Sequence, residues 1–213
     1  MKPMIALAFV LPLTVGPASA EVALGFYGGV QGAQPSQIEV AGDAVIADAE
    51  FEQGWEGRSF DSPIYYGFRL TNWATAEYGY GLDFAHSKIY PDELPTGYDR
   101  LEFTDGINTL TLNAYRRWDD AIGQVTPYVG GGLGVAIPHV EVSSNGSETE
   151  GYQVTGPAAT VVAGASYPLT DNWSVFGEYK GTYSANAADL VDGGTLETDV
   201  VTNAVNFGVS FDF

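Results

Sequence analysis

The stretch Val200-Val201-Thr202-Asn203-Ala204-Val205-Asn206-Phe207-Gly208-Val209-Ser210-Phe211-Asp212-Phe213 alternates with period two. Val201, Val205, Phe207, Val209, Phe211 and Phe213 share one face. Thr202, Ala204, Asn206, Gly208, Ser210 and Asp212 share the other. Successive side chains of a strand point to opposite sides of the sheet, so this is a strand with one apolar, aromatic wall and one small or polar wall. A strand of a water-soluble sandwich shows the same alternation, so the period alone does not choose between environments.

Working back along the chain, seven further segments of similar length alternate: Glu21–Gln31, Ile64–Trp73, Tyr78–Ile89, Ile107–Trp118, Thr126–Val140, Gln153–Tyr167 and Ser174–Tyr183. Their connections discriminate. Asn72–Glu77, Asp119–Gln124 and Pro168–Asn172 are short; Gly32–Pro63, Tyr90–Gly106, Glu141–Tyr152 and Ser184–Asp199 are long; the two kinds alternate strictly. Short turns at one end and long loops at the other are the asymmetry of an antiparallel transmembrane β-barrel of the Gram-negative outer membrane. Trp73, Tyr78, Trp118, Tyr167 and Trp173 sit at or beside the short turns, where an aromatic girdle meets the water–lipid boundary. Eight strands with both termini on the periplasmic side are therefore expected, closed so that no sheet edge meets hydrocarbon, around an interior wide enough only for side chains.

Composition agrees. There are 27 glycines, 13 tyrosines, 11 phenylalanines and 4 tryptophans, and only 16% of residues are charged. Lys2, the apolar run Ile5–Val15 and Ala18-Ser19-Ala20 read as a signal peptide over residues 1–20, leaving residues 21–213 as the barrel. Its removal takes one of 8 basic residues and none of the 27 acids, so the mature charge lies one unit below the formal −19. That excludes nucleic acid as a partner and a polybasic lipid anchor. With no cysteine there is no disulfide, thiolate metal site or thiol nucleophile. The long loops hold Asp43, Asp48, Glu50, Glu52, Asp92, Glu93, Glu148, Glu150, Asp189, Asp192 and Glu197. Solvation of the loops is the simple reading of these acids, and cation binding the other.

Phase places Arg69, Asp83, Asn113, Tyr115, Arg117, Glu178 and Lys180 inside. Charges of both signs are costly against lipid, so a paired polar plug is expected there rather than a catalytic lumen. The two histidines stand elsewhere. His86 lies nine residues after the turn residue Glu77, and His139 fifteen after Gln124, both in the outward phase near the outer rim, with Asn108 and Glu102 in the same phase on the strand between. Two histidines with carboxylates nearby suit a divalent metal with open positions or a general base. The alternative is polar residues marking where lipid ends, and strand stagger decides whether they meet. In His86-Ser87-Lys88 neighbouring residues face opposite ways, so His86 cannot activate Ser87. The loop Gly54-Trp55-Glu56-Gly57-Arg58-Ser59-Phe60 suits either sugar or phosphate recognition or a structured turn packed over the barrel mouth. Gly130-Gly131-Gly132-Leu133-Gly134 opens no helix and is no phosphate loop; glycines here make room for bulky neighbours.

Tyr128–Ala136 and Trp173–Tyr179 resemble the small outer-membrane barrels in general, and Phe213 looks like their assembly signal. Gly54–Phe60 with Pro63–Arg69, Asp83–Tyr90, Arg100–Asn108 and Pro138–Val142 resemble, more particularly, the alphaproteobacterial lipid A oxidases, with similarity running from about Glu21 to Phe213. The resemblance implies oxidation of the proximal glucosamine of lipid A to aminogluconate by molecular oxygen with release of peroxide. It implies lipopolysaccharide of the outer leaflet as partner. It carries no catalytic residues with it, and the third-strand carboxylate is Asp83 where glutamate is usual. Together the two readings give a monomeric enzyme in which His86 and His139 hold a divalent metal at the rim and Glu102 or Asp105 serves as further ligand or base. The competing expectations are a non-catalytic structural or surface-interaction barrel and, against the charged lumen, a narrow channel.

Overall fold

A computed structural model describes residues 21–119 and 121–213, the side chains of Thr104 and Asp105 excepted. The signal peptide expected over residues 1–20 therefore lies outside the described residues. Twelve strands form: β1 (Glu21–Ala33), β2 (Ser36–Ala41), β3 (Ala49–Gln53), β4 (Trp55–Glu56), β5 (Tyr66–Trp73), β6 (Tyr78–Pro91), β7 (Arg100–Arg117), β8 (Thr126–Ser144), β9 (Ser147–Tyr152), β10 (Gly156–Pro168), β11 (Trp173–Asp189) and β12 (Thr195–Asp212). In order β1, β5, β6, β7, β8, β10, β11 and β12 pair antiparallel with their neighbours, and β12 returns to β1. These are the eight strands read from the alternation, closed into a barrel with no free edge in its wall.

The outside of the wall is apolar. Leu24, Phe26, Phe68, Leu70, Tyr80, Leu82, Leu110, Leu112, Leu133, Val161, Val205 and Phe207 are all exposed. At the short-turn end Tyr78, Tyr167 and Trp173 are exposed as a girdle. Trp73 departs from it. It shares its phase with Arg69 and Thr71, and so packs inside against Tyr115, with the Arg117 guanidinium 4.1 Å from its ring.

Inside, four buried charges balance one another. Arg69 donates to Asp83 Oδ2 at 3.0 Å and to both oxygens of Glu178 at 2.8 and 2.9 Å. Lys180 pairs with Asp83 and donates to the Tyr27 hydroxyl at 2.8 Å. Tyr27 donates to Asp83 at 2.9 Å, Tyr128 to Glu178 at 2.6 Å and Asn206 to Glu178 at 3.1 Å. Every carboxylate oxygen of the plug is thus hydrogen-bonded, which is what burial of charge demands. Asp83 is a plug residue. The glycine run of β8 serves this packing: a β-carbon at Gly130 would strike the Tyr115 ring at 2.3 Å. Below the plug a cavity of about 230 Å³ lies between Arg69, Tyr128, Arg117 and the short turns.

The strands run well past the expected ends, and the loops read as long are largely their continuation. Expected loops Tyr90–Gly106, Glu141–Tyr152 and Ser184–Asp199 are mostly strand. The physical reason is a reversal of environment along one strand. On β12 residues 196 to 206 of even number all point inward. In the lower part these are Thr202, Ala204 and Asn206; in the upper part they are Leu196, Thr198 and Val200, while Glu197 and Asp199 face out. Above the bilayer water is outside, so the barrel fills with hydrocarbon: Ile38, Val40, Trp55, Ile89, Leu101, Phe103, Val140, Val142, Leu190 and Leu196 form one buried cluster. The first long loop completes this upper barrel. Its β2–β3 hairpin adds to β12, β4 adds to β6, and Trp55 is buried with its indole N–H donating to Ser36 at 2.9 Å. The loop caps the mouth.

Candidate functional site at the outer rim

The rim site begins with an irregularity. Ser87 and Ile89 of β6 face Ile107 and Phe103 of β7, so two steps on β6 match four on β7; on the other side Glu102 and Ile107 face Glu141 and Pro138 of β8. β7 therefore carries two extra residues. A bulge re-aims what it borders. An insertion of two preserves phase, and Arg100, Glu102 and Asn108 all stay on the outward side with His86, His139 and Glu141. Gly106, in the bulge, has φ +96°, and a β-carbon on it would lie 2.5 Å from His86 Nδ1. Only glycine satisfies both conditions.

His86 is outward in phase yet only 5% exposed. Its ring stacks on Tyr66 with centroids 5.0 Å apart, and Nδ1 lies 2.8 Å from Asn108 Oδ1. His139 is 8% exposed, edge-on to Tyr152 at 4.7 Å, with Nδ1 3.1 Å from Glu141 Oε1. The outward phase read for both imidazoles is seen, and each is tucked behind a tyrosine, at the rim but not bare. His86 lies level with Asn108, and Asn108 level with Ile137, two residues short of His139. Strand spacing and rise put the two histidine backbones about 12 Å apart. Among the described residues no group of three or more His, Asp or Glu stands close enough to hold a metal ion. The carboxylate of Asp105 lies outside the described residues.

Residues just above the histidines on β7 and β8 make a charged network. Arg100 donates to Glu141 Oε2 at 2.8 Å and lies 3.6 Å from Glu102 Oε1. Glu102 and Glu141 are direct cross-strand partners, so their like charges need that guanidinium. Partial burial and then the Glu141 charge hold the Glu102 carboxyl above the ordinary glutamate range, against the pull of Arg100. Glu141 and Arg100 were not singled out from the sequence, although His139-x-Glu141 and Arg100-x-Glu102 each put two polar residues on one face of a strand.

The loop Gly54–Phe60 is a structured turn. It fills the gap above the short β5, where Gln31 of β1 donates to Gly57 O at 2.8 Å and accepts from the Ser59 hydroxyl at 3.1 Å. Lys88, fully buried beneath it, donates to Asp61 O at 3.1 Å. Ser87 points inward and His86 outward, so the two share no face.

A family model described as outer membrane protein beta-barrel domain matches residues 5–213. No curated protein matches the chain. Among solved structures, the outer membrane protein OprG from Pseudomonas aeruginosa is 13% identical over 92% of this chain and 96% of its own, with a TM-score of 0.55. Neisserial surface protein A is 16% identical over 93% of this chain and 100% of its own, with a TM-score of 0.49. Identities this low bear on fold alone, and the OprG superposition agrees with the ring of eight strands. The apolar outer wall, the closed ring and a family match over nearly the whole sequence place the protein in the outer membrane of a Gram-negative bacterium. The chain belongs to the outer membrane protein beta-barrel domain family.

Proposed function

We propose that the barrel oxidises the proximal glucosamine of lipid A at its outer rim. The observation that carries this reading is placement. Both histidines of the chain, with Arg100, Glu102 and Glu141, stand on the lipid-side face of β6 to β8, directly above the exposed Leu82, Leu110, Leu112 and Leu133. A lipid of the outer leaflet with its chains on those leucines carries its headgroup to that height. The plug and the apolar cap close the lumen and the mouth from the outer side, and the cavity below the plug opens toward the short turns, away from the outer leaflet. The resemblance to lipid A oxidases points to the same substrate.

In the reaction the proximal sugar, its anomeric hydroxyl free of phosphate, gives up the anomeric hydrogen and the hydroxyl proton. Molecular oxygen takes the two electrons and two protons as hydrogen peroxide, and water opens the resulting lactone to the acid. In this reading His139 accepts the hydroxyl proton. With Nδ1–H donating to Glu141, its Nε2 is the basic nitrogen, and Glu141 steadies the cation that forms. The described residues do not offer a three-ligand metal site.

A second reading, a non-catalytic surface barrel, draws on the capped mouth and on the exposed carboxylates of Glu39, Glu50 and Glu197, which stand side by side on β2, β3 and β12. Mass spectrometry of lipid A from cells whose lipid A has a free anomeric hydroxyl and which have no oxidase of their own, with and without this chain, separates the two. A gain of one oxygen on the proximal sugar, present in air and absent without oxygen, is expected. His86→Ala and His139→Ala should abolish it while the heat-modifiable gel mobility of a folded barrel persists. Unchanged lipid A beside a folded barrel refutes the oxidase and leaves the surface role.

A further inference from the structure

Residues 21–213 carry seven basic side chains. Arg69 and Lys180 neutralise the lumen, and Arg116 and Arg117 stand at the periplasmic rim against Glu77 and Glu21. The other three, Arg58, Lys88 and Arg100, gather at one place on the outer rim, where Glu102 lies in the field of all three. The rest of the extracellular half bears acids, Glu39, Glu50, Glu52 and Glu197 among them. Arg58, Lys88 and Arg100 offer an anion approaching from outside its cations at this place, with Glu56, Glu102 and Glu141 standing among them.

The cluster has built features. Arg58 and Lys88 lie against the same ring, 4.4 and 5.1 Å from the Tyr90 centroid. Arg58 has φ +38°, a conformation that non-glycine residues seldom hold and that gathers at ligand clamps. The Arg58 and Arg100 side chains are 44% and 46% exposed. The described contacts engage Nε of Arg58 with Glu56, and Nε and Nη1 of Arg100 with Glu102 and Glu141. A guanidinium has five N–H donors, so both retain capacity for a ligand. Lys88 is buried and adds field rather than contact. Phe60 and Ile64, on the loop that carries Arg58, are exposed at 76% and 53%. Below them Phe84, Phe68 and Phe26, direct cross-strand partners on β6, β5 and β1, form a row across the lipid-facing wall with ring centroids 6.4 and 5.2 Å apart. Cations above an aromatic strip fit an anionic amphiphile.

We propose that Arg58 and Arg100 bind a phosphate of an outer-leaflet glycolipid whose acyl chains pack against the Phe84–Phe68–Phe26 row. This rests on the reading of the rim as the side that meets lipid A, and it needs no turnover.

The test is a binding titration of the full barrel in nanodiscs, read by native mass spectrometry, against lipid A with a free anomeric hydroxyl that keeps the phosphate of its distal sugar and the same lipid with that phosphate removed. The wild type should prefer the phosphorylated lipid about tenfold, as charge-assisted guanidinium–phosphate bonds give. Arg58→Gln with Arg100→Gln should bring the two lipids to parity, and Arg116→Gln at the opposite rim should leave the preference intact. Arg58→Gln alone, which spares the Arg100–Glu141 pair, should reduce the preference and serves if the double variant fails to fold. Equal binding of both lipids by the wild type, or full preference in Arg58→Gln, overturns the proposal. Displacement by inorganic phosphate as effective as by the lipid overturns the glycolipid assignment. Phosphate-dependent binding without any oxidised product supports this site and retires the oxidase.

Discussion

Replacing Arg69 by Met removes one of four buried charges while keeping an apolar stem of similar length. Arg69 is 8% exposed, Asp83 1%, Glu178 4% and Lys180 2%. The four sum to zero. In Arg69→Met two carboxylates remain with one ammonium, and Glu178 is the member left without a cation. Taking one partner from a buried pair costs about 3–5 kcal/mol. Tyr128 and Asn206 still hydrogen-bond Glu178, which places the expected loss near the lower end, about 3 kcal/mol. That is more than a hundredfold in the unfolding equilibrium. Adding Glu178→Gln restores neutrality, since Lys180 and Asp83 still pair. The double variant should recover about 2 kcal/mol of the loss, a coupling within the range for contacting residues. Urea unfolding in detergent micelles, followed by tryptophan fluorescence and gel mobility, reads both quantities. An Arg69→Met barrel as stable as wild type, or a double variant as weak as the single one, would refute the charge-balance reasoning. Neither variant should conduct in planar bilayers, because the apolar cluster above the plug still closes the mouth.

Gly106→Ala should cost about 2 kcal/mol or more, from left-handed backbone strain and collision with His86. It should also move the His86 imidazole resonances; an unshifted His86 with full stability would dismiss the bulge as the element that seats it. Glu102, held above the ordinary glutamate value of 4.5 by burial and Glu141, keeps its proton to higher pH when folded than when unfolded. Its contribution to stability should therefore decline as pH rises through that raised value, and Glu102→Gln should flatten the unfolding midpoint there. An identical pH profile in both proteins would contradict this. Glu39 faces Glu197 on one side and Glu50 on the other in direct cross-strand register. Glu39→Lys should stabilise the barrel by about 1 kcal/mol at low salt and by less at high salt, and a change insensitive to salt would count against repulsion as its source.

The alternation of Val201 to Phe213, the short and long connections and the inward phase of Arg69, Asp83, Glu178 and Lys180 were all legible along the chain, because phase in a strand is local and a two-residue period needs no knowledge of the neighbour. The pairing of the lumen charges followed from them, since charges of opposite sign facing inward in a narrow barrel are brought within reach of one another. Strand ends were not legible. An eye set for apolar residues outside stops at Glu197 and Asp199, although Leu196 and Val200 keep the same phase; the meaning of the pattern reverses where lipid gives way to water. Trp73 at a short turn looked like girdle, yet it shares the inward side of β5 with Arg69. The rim was half legible. His86 and His139 declared their outward phase, but their burial behind Tyr66 and Tyr152, the Arg100 bridge between Glu102 and Glu141, and the gathering of Arg58, Lys88 and Arg100 depend on register between strands and on where the first loop lands. The chain by itself thus determined which side of the wall each residue takes. Which residues stand level with one another was decided by closure of the barrel and the two-residue insertion in β7, because stagger between strands is a property of pairing and is written in no single strand.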